Sequence, residues 1–368
     1  MKKLSLLFWS LGLVLGFVAG GSVSAAAASS AKDSYQFKKG VNISHWLSQN
    51  FGERTYGAPW FGEADVKWIA QQGFDHLRLP VDIRLCLKAD GSLDDAKLKP
   101  IWQTIHWAKA NKLGVVLDAH FLPGADFNSH GGDNRAFTDP VLMEKVAVIW
   151  RDLAKRFANE GDWLRFEILN EPVAKENAQL NPFMRKMLAS IRESNPTRMV
   201  YVTSNRWSAF STVPDVVLPD DAHIALTIHN YEPLIFTHQR ASWTNFKENM
   251  PPIEFPGTLP DLTGTYDEGA HTKGLEAGRK LTVEEVQAAF QKVDDWVKRT
   301  RPGLEVYVGE FGVYRPAPSE SKKRWLHTIV SECAKRGWGW AVWDYKGGFA
   351  VRDANGKGTD VLAGLFGK

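Results

Sequence analysis

The stretch Arg165-Phe166-Glu167-Ile168-Leu169, running directly into Asn170-Glu171-Pro172, decides the fold. A short apolar run of this kind, bounded by a proline and ending in polar residues, reads as a buried strand that delivers side chains to a rim. The same pattern recurs outward in both directions. Upstream lie candidate strands at Gly40–Ser44, His76–Leu79 and Gly114–Ala119, and downstream at Met199–Thr203, Ile224–Ile228, Glu305–Gly309 and Trp338–Val342. Helical periodicity fills most of the gaps, over Glu63–Gln72, Ala96–Asn111, Pro140–Asn159, Asn181–Ser194, Thr282–Thr300 and Ser321–Arg336. Short apolar strands separated by helices pair in parallel through crossovers. Eight such units predict a single (β/α)8 TIM barrel from residue 33 to residue 368. An open doubly wound sheet is the alternative, but no Gly-x-Gly-x-x-Gly follows the first strand.

Two stretches depart from the repeat. Residues Tyr231 to Lys280 form a long loop insertion after strand six, rich in Pro, Gly and Thr, and are expected to make a lid or cleft wall. Lys346 to Gly358 reads as a C-terminal β-hairpin turning at Asn355-Gly356.

The chain has 368 residues, of which 44% are hydrophobic and 24% charged, so it buries a sizeable core and is neither disordered nor fibrous. Residues 1–25 read as a signal peptide: Lys2 and Lys3, an apolar run from Leu4 to Val18, and small residues around Val23-Ser24-Ala25. That run falls short of the ~20 residues a membrane span needs. The mature chain is therefore expected to be secreted, periplasmic or extracellular, without a membrane partner. Loss of Lys2 and Lys3 takes the 45 basic residues to 43 against 42 acidic ones, a balance that speaks against a nucleic-acid partner. Cys86 and Cys333 lie far apart in sequence, and two buried thiols are expected rather than a bridge. Fifteen Trp are more than an average chain carries, and indole faces make sugar-stacking platforms.

Polar residues gather where the strands end, which in such a barrel is the chemical face. Arg78, His120, Asn170, Glu171, His229, Tyr231, Glu310, Trp343 and Asp344 all fall there. Glu171 and Glu310 follow strands four and seven, on opposite sides of the ring. Carboxyls facing across a cleft suit glycoside hydrolysis, one donating a proton while the other attacks or stabilises the anomeric carbon. Asn170 and Glu171 are sequence neighbours, so a regular strand would point them to opposite faces. Both reach the cleft only if the strand twists or bulges as it ends.

Phe166-Glu167-Ile168-Leu169-Asn170-Glu171-Pro172 resembles the signature of glycoside hydrolase family 5. The resemblance extends through the Arg78 motif Gly73 to Pro80, Asp118-Ala119-His120, His229-Asn230-Tyr231, Gly309-Glu310-Phe311-Gly312 and Trp340-Ala341-Val342-Trp343. It implies a retaining, cellulase-like enzyme with Glu171 as acid/base and Glu310 as nucleophile. Arg78 and Tyr231 would then orient Glu310, and Asn170 would bind the sugar 2-OH. His120 and His229 would line the reacting subsite, with Trp343 as its floor. No metal or organic cofactor is implied. Weaker substrate-binding candidates are His45 and Trp46 after strand one, Trp207 after strand five and Trp243 in the insertion. His76, Trp68, Trp102, Trp107 and Trp150 read as packing residues.

The expected substrate is a β-linked polysaccharide or oligosaccharide; the stretch Tyr231 to Trp243 resembles loops of cellulase-like family members, which implies an endo-β-1,4-glucanase, and the chain is expected to be a monomer. β-Mannanase and β-1,3-glucanase are alternatives within the family. A metal-dependent amidohydrolase would need His-x-His on strand one, where Val41 to His45 offers none, and a non-catalytic carbohydrate-binding barrel would have lost a carboxylate.

Overall fold

The computed structural model describes residues 35–49, 56, 60–128, 133–269 and 272–367. The signal-peptide reading lies outside the described residues.

Eight parallel strands close into a barrel in which every strand pairs with its sequence neighbours and the last with the first. They are β1 (Lys39–Asn42), β2 (His76–Asp82), β3 (Gly114–Phe121), β4 (Leu164–Glu167), β5 (Val200–Thr203), β6 (Ile224–His229), β7 (Glu305–Glu310) and β8 (Gly339–Val342). All eight expected strands are present. The crossover helices are α1 (Glu63–Gln72), α2 (Asp95–Ala110), α3 (Pro140–Arg156), α4 (Asn177–Arg192), α5 (Val283–Thr300) and α6 (Ser319–Arg336). Their starts obey capping chemistry: Thr282 Oγ1 accepts from the Glu285 N–H, and Asp139, ahead of Pro140, accepts from Val141 and Leu142. Between β5 and β6 the chain makes short 3-10 turns around Phe210–Asp215 in place of a full helix.

Helices dock on the barrel through aromatic side chains. Trp150 of α3 is buried and donates its indole N–H to the Ile168 carbonyl at 3.1 Å, while Trp102 lies 4.2 Å from Phe157, so both act as packing groups. His76 fills the barrel interior, 2.8 Å from the Tyr307 hydroxyl, and a Cβ on Gly40 would come within 2.2 Å of its ring. Cys86 and Cys333 are buried free thiols.

The insertion after β6 is packed onto the rest of the chain. It carries its own buried side chains, among them Phe236 and Phe255 with ring centroids 5.4 Å apart, and a two-stranded ribbon pairing Gly257–Thr258 with Lys280–Leu281. It is tied down by bonds from Tyr314 N–H to Thr237, Trp325 Nε1 to Glu232 and Arg324 Nε to Phe255. The expected C-terminal hairpin turns at Asn355-Gly356, where Gly356 has φ 80°, but its pairing shrinks to one bridge between Arg352 and Gly358. A further helix, α7 (Asp360–Phe366), follows, capped by Thr359.

Candidate active site

Register assembles the floor of the site. Asn42 of β1 stands opposite Arg78 of β2, and Asp118 of β3 opposite Glu167 of β4. All four are buried, and their polar atoms pair within the site except Asp118 Oδ1, which has no partner. Each of the five N–H donors of Arg78 has an acceptor. Nε and Nη2 clamp Glu167 at 2.7 and 2.9 Å, Nη1 donates to Asn42 and Glu310 at 2.8 and 2.7 Å, and Nη2 also donates to Asn170 at 2.8 Å. Asp118 Oδ2 lies 3.1 Å from Nη2. A planar guanidinium fits this set where an ammonium would not.

Glu310 ends β7 opposite His229 of β6. Its Oε1 accepts from Arg78, and its Oε2 accepts from the Tyr231 hydroxyl at 3.0 Å. Gly309 leaves room for Thr227 and His229 of β6, since a Cβ there would come within 2.6 Å of Thr227 Oγ1 and 3.2 Å of His229 Nε2. Glu171 reaches the cleft by a different device. Strand β4 stops at Glu167, and Glu171 sits in the left-handed region at φ 42°. The chain thus breaks strand alternation where two neighbours must share one face, and a non-glycine residue there marks strain kept for a purpose. His229 Nδ1 lies 2.9 Å from Glu171 Oε1 and 3.8 Å from Glu310 Oε2.

The two carboxyls differ electrostatically. Burial pushes Glu171 well above the usual carboxylate range, and the charge of Glu310 pushes it further. Burial raises Glu310 as well, but Arg78 and Tyr231 hold its charged form, so the proton that the pair shares resides on Glu171. Burial beside Arg78 and His120 drives His229 well below its ordinary value, and burial brings His120 down to about 3, so both imidazoles are neutral. Glu171, His229 and Glu310 each bring a potential ligand atom within 4.8 Å of the others. Arg78 already places a positive charge against Glu310, and the set suits a shared proton better than a cation.

Polar atoms without a protein partner face the same region. Asn170 Nδ2, His120 Nε2 and His229 Nε2 are buried and unpaired, a set that a hydroxyl-rich ligand would satisfy. Trp343 lies parallel to His120, with centroids 5.8 Å apart. His45 is 6.2 Å from Trp343 and is held by Ser44 Oγ at 2.7 Å, which itself donates to buried Asp344 at 2.5 Å.

The weaker candidates separate. Trp46 is buried and packs 4.9 Å from Phe61. Trp207 stands on a left-handed turn, donating its indole N–H to Phe127 and its backbone N–H to Pro172, the residue after Glu171. Trp243 is 59% exposed on the insertion, edge-on to Tyr314 at 4.9 Å. Asn42, Asp118 and Glu167 were not singled out in sequence as site residues. The available signal was a polar residue inside an otherwise apolar strand, since such a group is buried only when paired.

Comparison with known proteins agrees with this geometry. Residues 38–348 match the family model of cellulase (glycosyl hydrolase family 5). The chain is 30% identical over 321 residues to Endoglucanase C of Acetivibrio thermocellus, covering 84% of this chain and 91% of that protein. Cellodextrinase A of Ruminococcus flavefaciens is 27% identical, with 81% and 82% covered. The structure of Thermotoga maritima Cel5A with cellobiose superposes with a TM-score of 0.73 at 25% identity, over 91% of this chain and 99% of that one. A closed parallel barrel, two carboxyls across its mouth and a family match over most of the described barrel lead to one conclusion: the chain belongs to glycosyl hydrolase family 5.

Proposed function

We propose that this glycosidase is a secreted, retaining, endo-acting β-1,4-glucanase, with Glu171 as acid/base and Glu310 as nucleophile. The observation that carries the reading is the approach of one carboxyl oxygen of Glu171 to one of Glu310 within 4.8 Å, with Arg78 and Tyr231 bonded, of the two, to Glu310 alone. Glu310 attacks the anomeric carbon as the glycosidic C–O bond breaks, and the Glu171 proton passes to the departing oxygen. Water then attacks the glycosyl-enzyme while Glu171 takes its proton, so two inversions restore the β configuration. Arg78 and Tyr231 keep Glu310 ionised, and the free Nδ2 of Asn170 is available to a sugar hydroxyl.

Supporting the substrate assignment are the names of its relatives, an endoglucanase and a cellodextrinase. Rates and products on β-1,4-glucan, mannan and laminarin test it. Internal cleavage of β-1,4-glucan to oligosaccharides is expected, whereas activity on mannan alone, or glucose released only from chain ends, overturns it. Export rests on the N-terminal leader. Mature protein in the periplasm or medium, beginning near residue 26, is the expected finding. The proposed monomer is checked by light scattering.

A further inference from the structure

We infer that Asp118 is a positioning residue that locks neutral His120 with its proton on Nδ1, so that Nε2 is an obligate acceptor and the bound sugar must present a hydroxyl donor to it. This rests on the glycosidase reading for the identity of the ligand, but not for the tautomer. Asp118 and His120 are two apart on β3, so both side chains point into the barrel. Asp118 Oδ2 lies 2.7 Å from His120 Nδ1, and both side chains are buried. The same oxygen is 3.1 Å from Arg78 Nη2, whose positive charge favours the carboxylate form of Asp118 against the rise that burial causes, and a carboxylate only accepts, so Nδ1 must donate. An imidazole donating from Nδ1 has a lone pair at Nε2, and that atom has no protein partner.

Aromatic rings surround the imidazole. Trp343 lies parallel to it with centroids 5.8 Å apart, and Phe121 and Phe127 meet it edge-on at 5.4 and 5.2 Å. A locked acceptor beside the donor Nδ2 of Asn170 gives the cleft a directional pattern of hydrogen bonds. A ligand that cannot donate at the matching hydroxyl would leave Nε2 buried and unpaired, which is how sites of this kind reject close analogues.

The tautomer is read directly by 15N NMR of the histidine-labelled full chain, with His120 assigned by the loss of its signals in His120→Gln. Wild type should show a protonated, pyrrole-like Nδ1 and a pyridine-like Nε2, and a proton on Nε2 overturns the inference. Asp118→Asn should mix the two tautomers, since an amide can accept from or donate to Nδ1, and should lower kcat/KM by ~10- to 100-fold. An unchanged His120 spectrum in a folded Asp118→Asn also overturns it. Cellotetraose added to Glu171→Gln should move the Nε2 resonance toward that of a hydrogen-bonded acceptor. Binding that leaves Nε2 unmoved refutes the acceptor role. If no gluco- or manno-oligosaccharide binds, the functional reading fails while the tautomer result stands.

Discussion

Glu171 and Glu310, from opposite walls of the barrel, bring carboxylate oxygens within 4.8 Å of each other. Inverting glycosidases hold their carboxyls ~6.5–9.5 Å apart to admit a water, whereas retaining ones hold them ~5–5.5 Å apart. An approach of one oxygen from each carboxyl to within 4.8 Å suits direct attack by Glu310 rather than attack by an interposed water, and the first product should be the β anomer. Proton NMR on fresh hydrolysate checks this, and an initial α anomer would sink the retaining assignment.

The two carboxyls should respond differently to removal. Glu310→Ala loses the nucleophile and nearly all turnover, and azide should rescue it with an α-glycosyl azide product. Glu171→Ala should spare activated aryl glycosides in the first step, because only leaving-group protonation is lost. An α product from azide rescue of the Glu171 variant would reverse the roles.

Activity should follow a bell-shaped pH profile, with Glu310 on the acid limb and Glu171 on the alkaline limb. Because burial raises Glu171, the folded state holds a proton that the unfolded chain releases near the ordinary glutamate value. Stability is therefore lost as pH rises from that value toward the folded one. Glu171→Gln should remove the alkaline limb and raise Tm at pH 8 more than at pH 4, by ~1–3 °C. Equal shifts at both pH values would contradict the raised value.

Arg78→Lys keeps the charge but supplies three donors where five are in use. Acceptors on Glu167, Asn42, Asn170 or Glu310 are then left buried without a donor, at ~1–3 kcal/mol each, so both thermal stability and kcat should fall. Native-like melting with full activity in this variant would show that the clamp on Glu167 and Glu310 is dispensable.

Burial pushes the Cys86 thiol up to about 11, and Cys333 is raised by the same cause. Thiol titration should find neither group in the native protein and both after denaturation, with no change in melting on adding reductant. A reductant-sensitive Tm would indicate a bridge.

Much of this site was legible in the chain because barrel chemistry falls at strand ends, where Arg78, Glu171 and Glu310 follow apolar runs. The left-handed turn of Glu171 was legible only as a requirement, since adjacent Asn170 and Glu171 had to share a face. Asp118, Glu167 and Asn42 were missed because their meaning depends on register between strands, which local periodicity does not contain. Trp46 was ambiguous for a related reason: an indole after β1 looks the same in sequence whether it meets Phe61 or a sugar. Helix α7 was hidden inside a stretch whose turn residues dominated its reading.

The groups that set the ionisation of Glu310 come from the strands or their immediate ends: Arg78 from β2, with Glu167 and Asn42 behind it, and Tyr231 two residues past β6. Beyond Tyr231, the insertion up to Lys280 is held instead by its own buried side chains and by bonds to Tyr314, Trp325 and Arg324. The tuning of the nucleophile thus owes nothing to the insertion beyond Tyr231, so that segment is free to diverge while the acid and the nucleophile keep their setting.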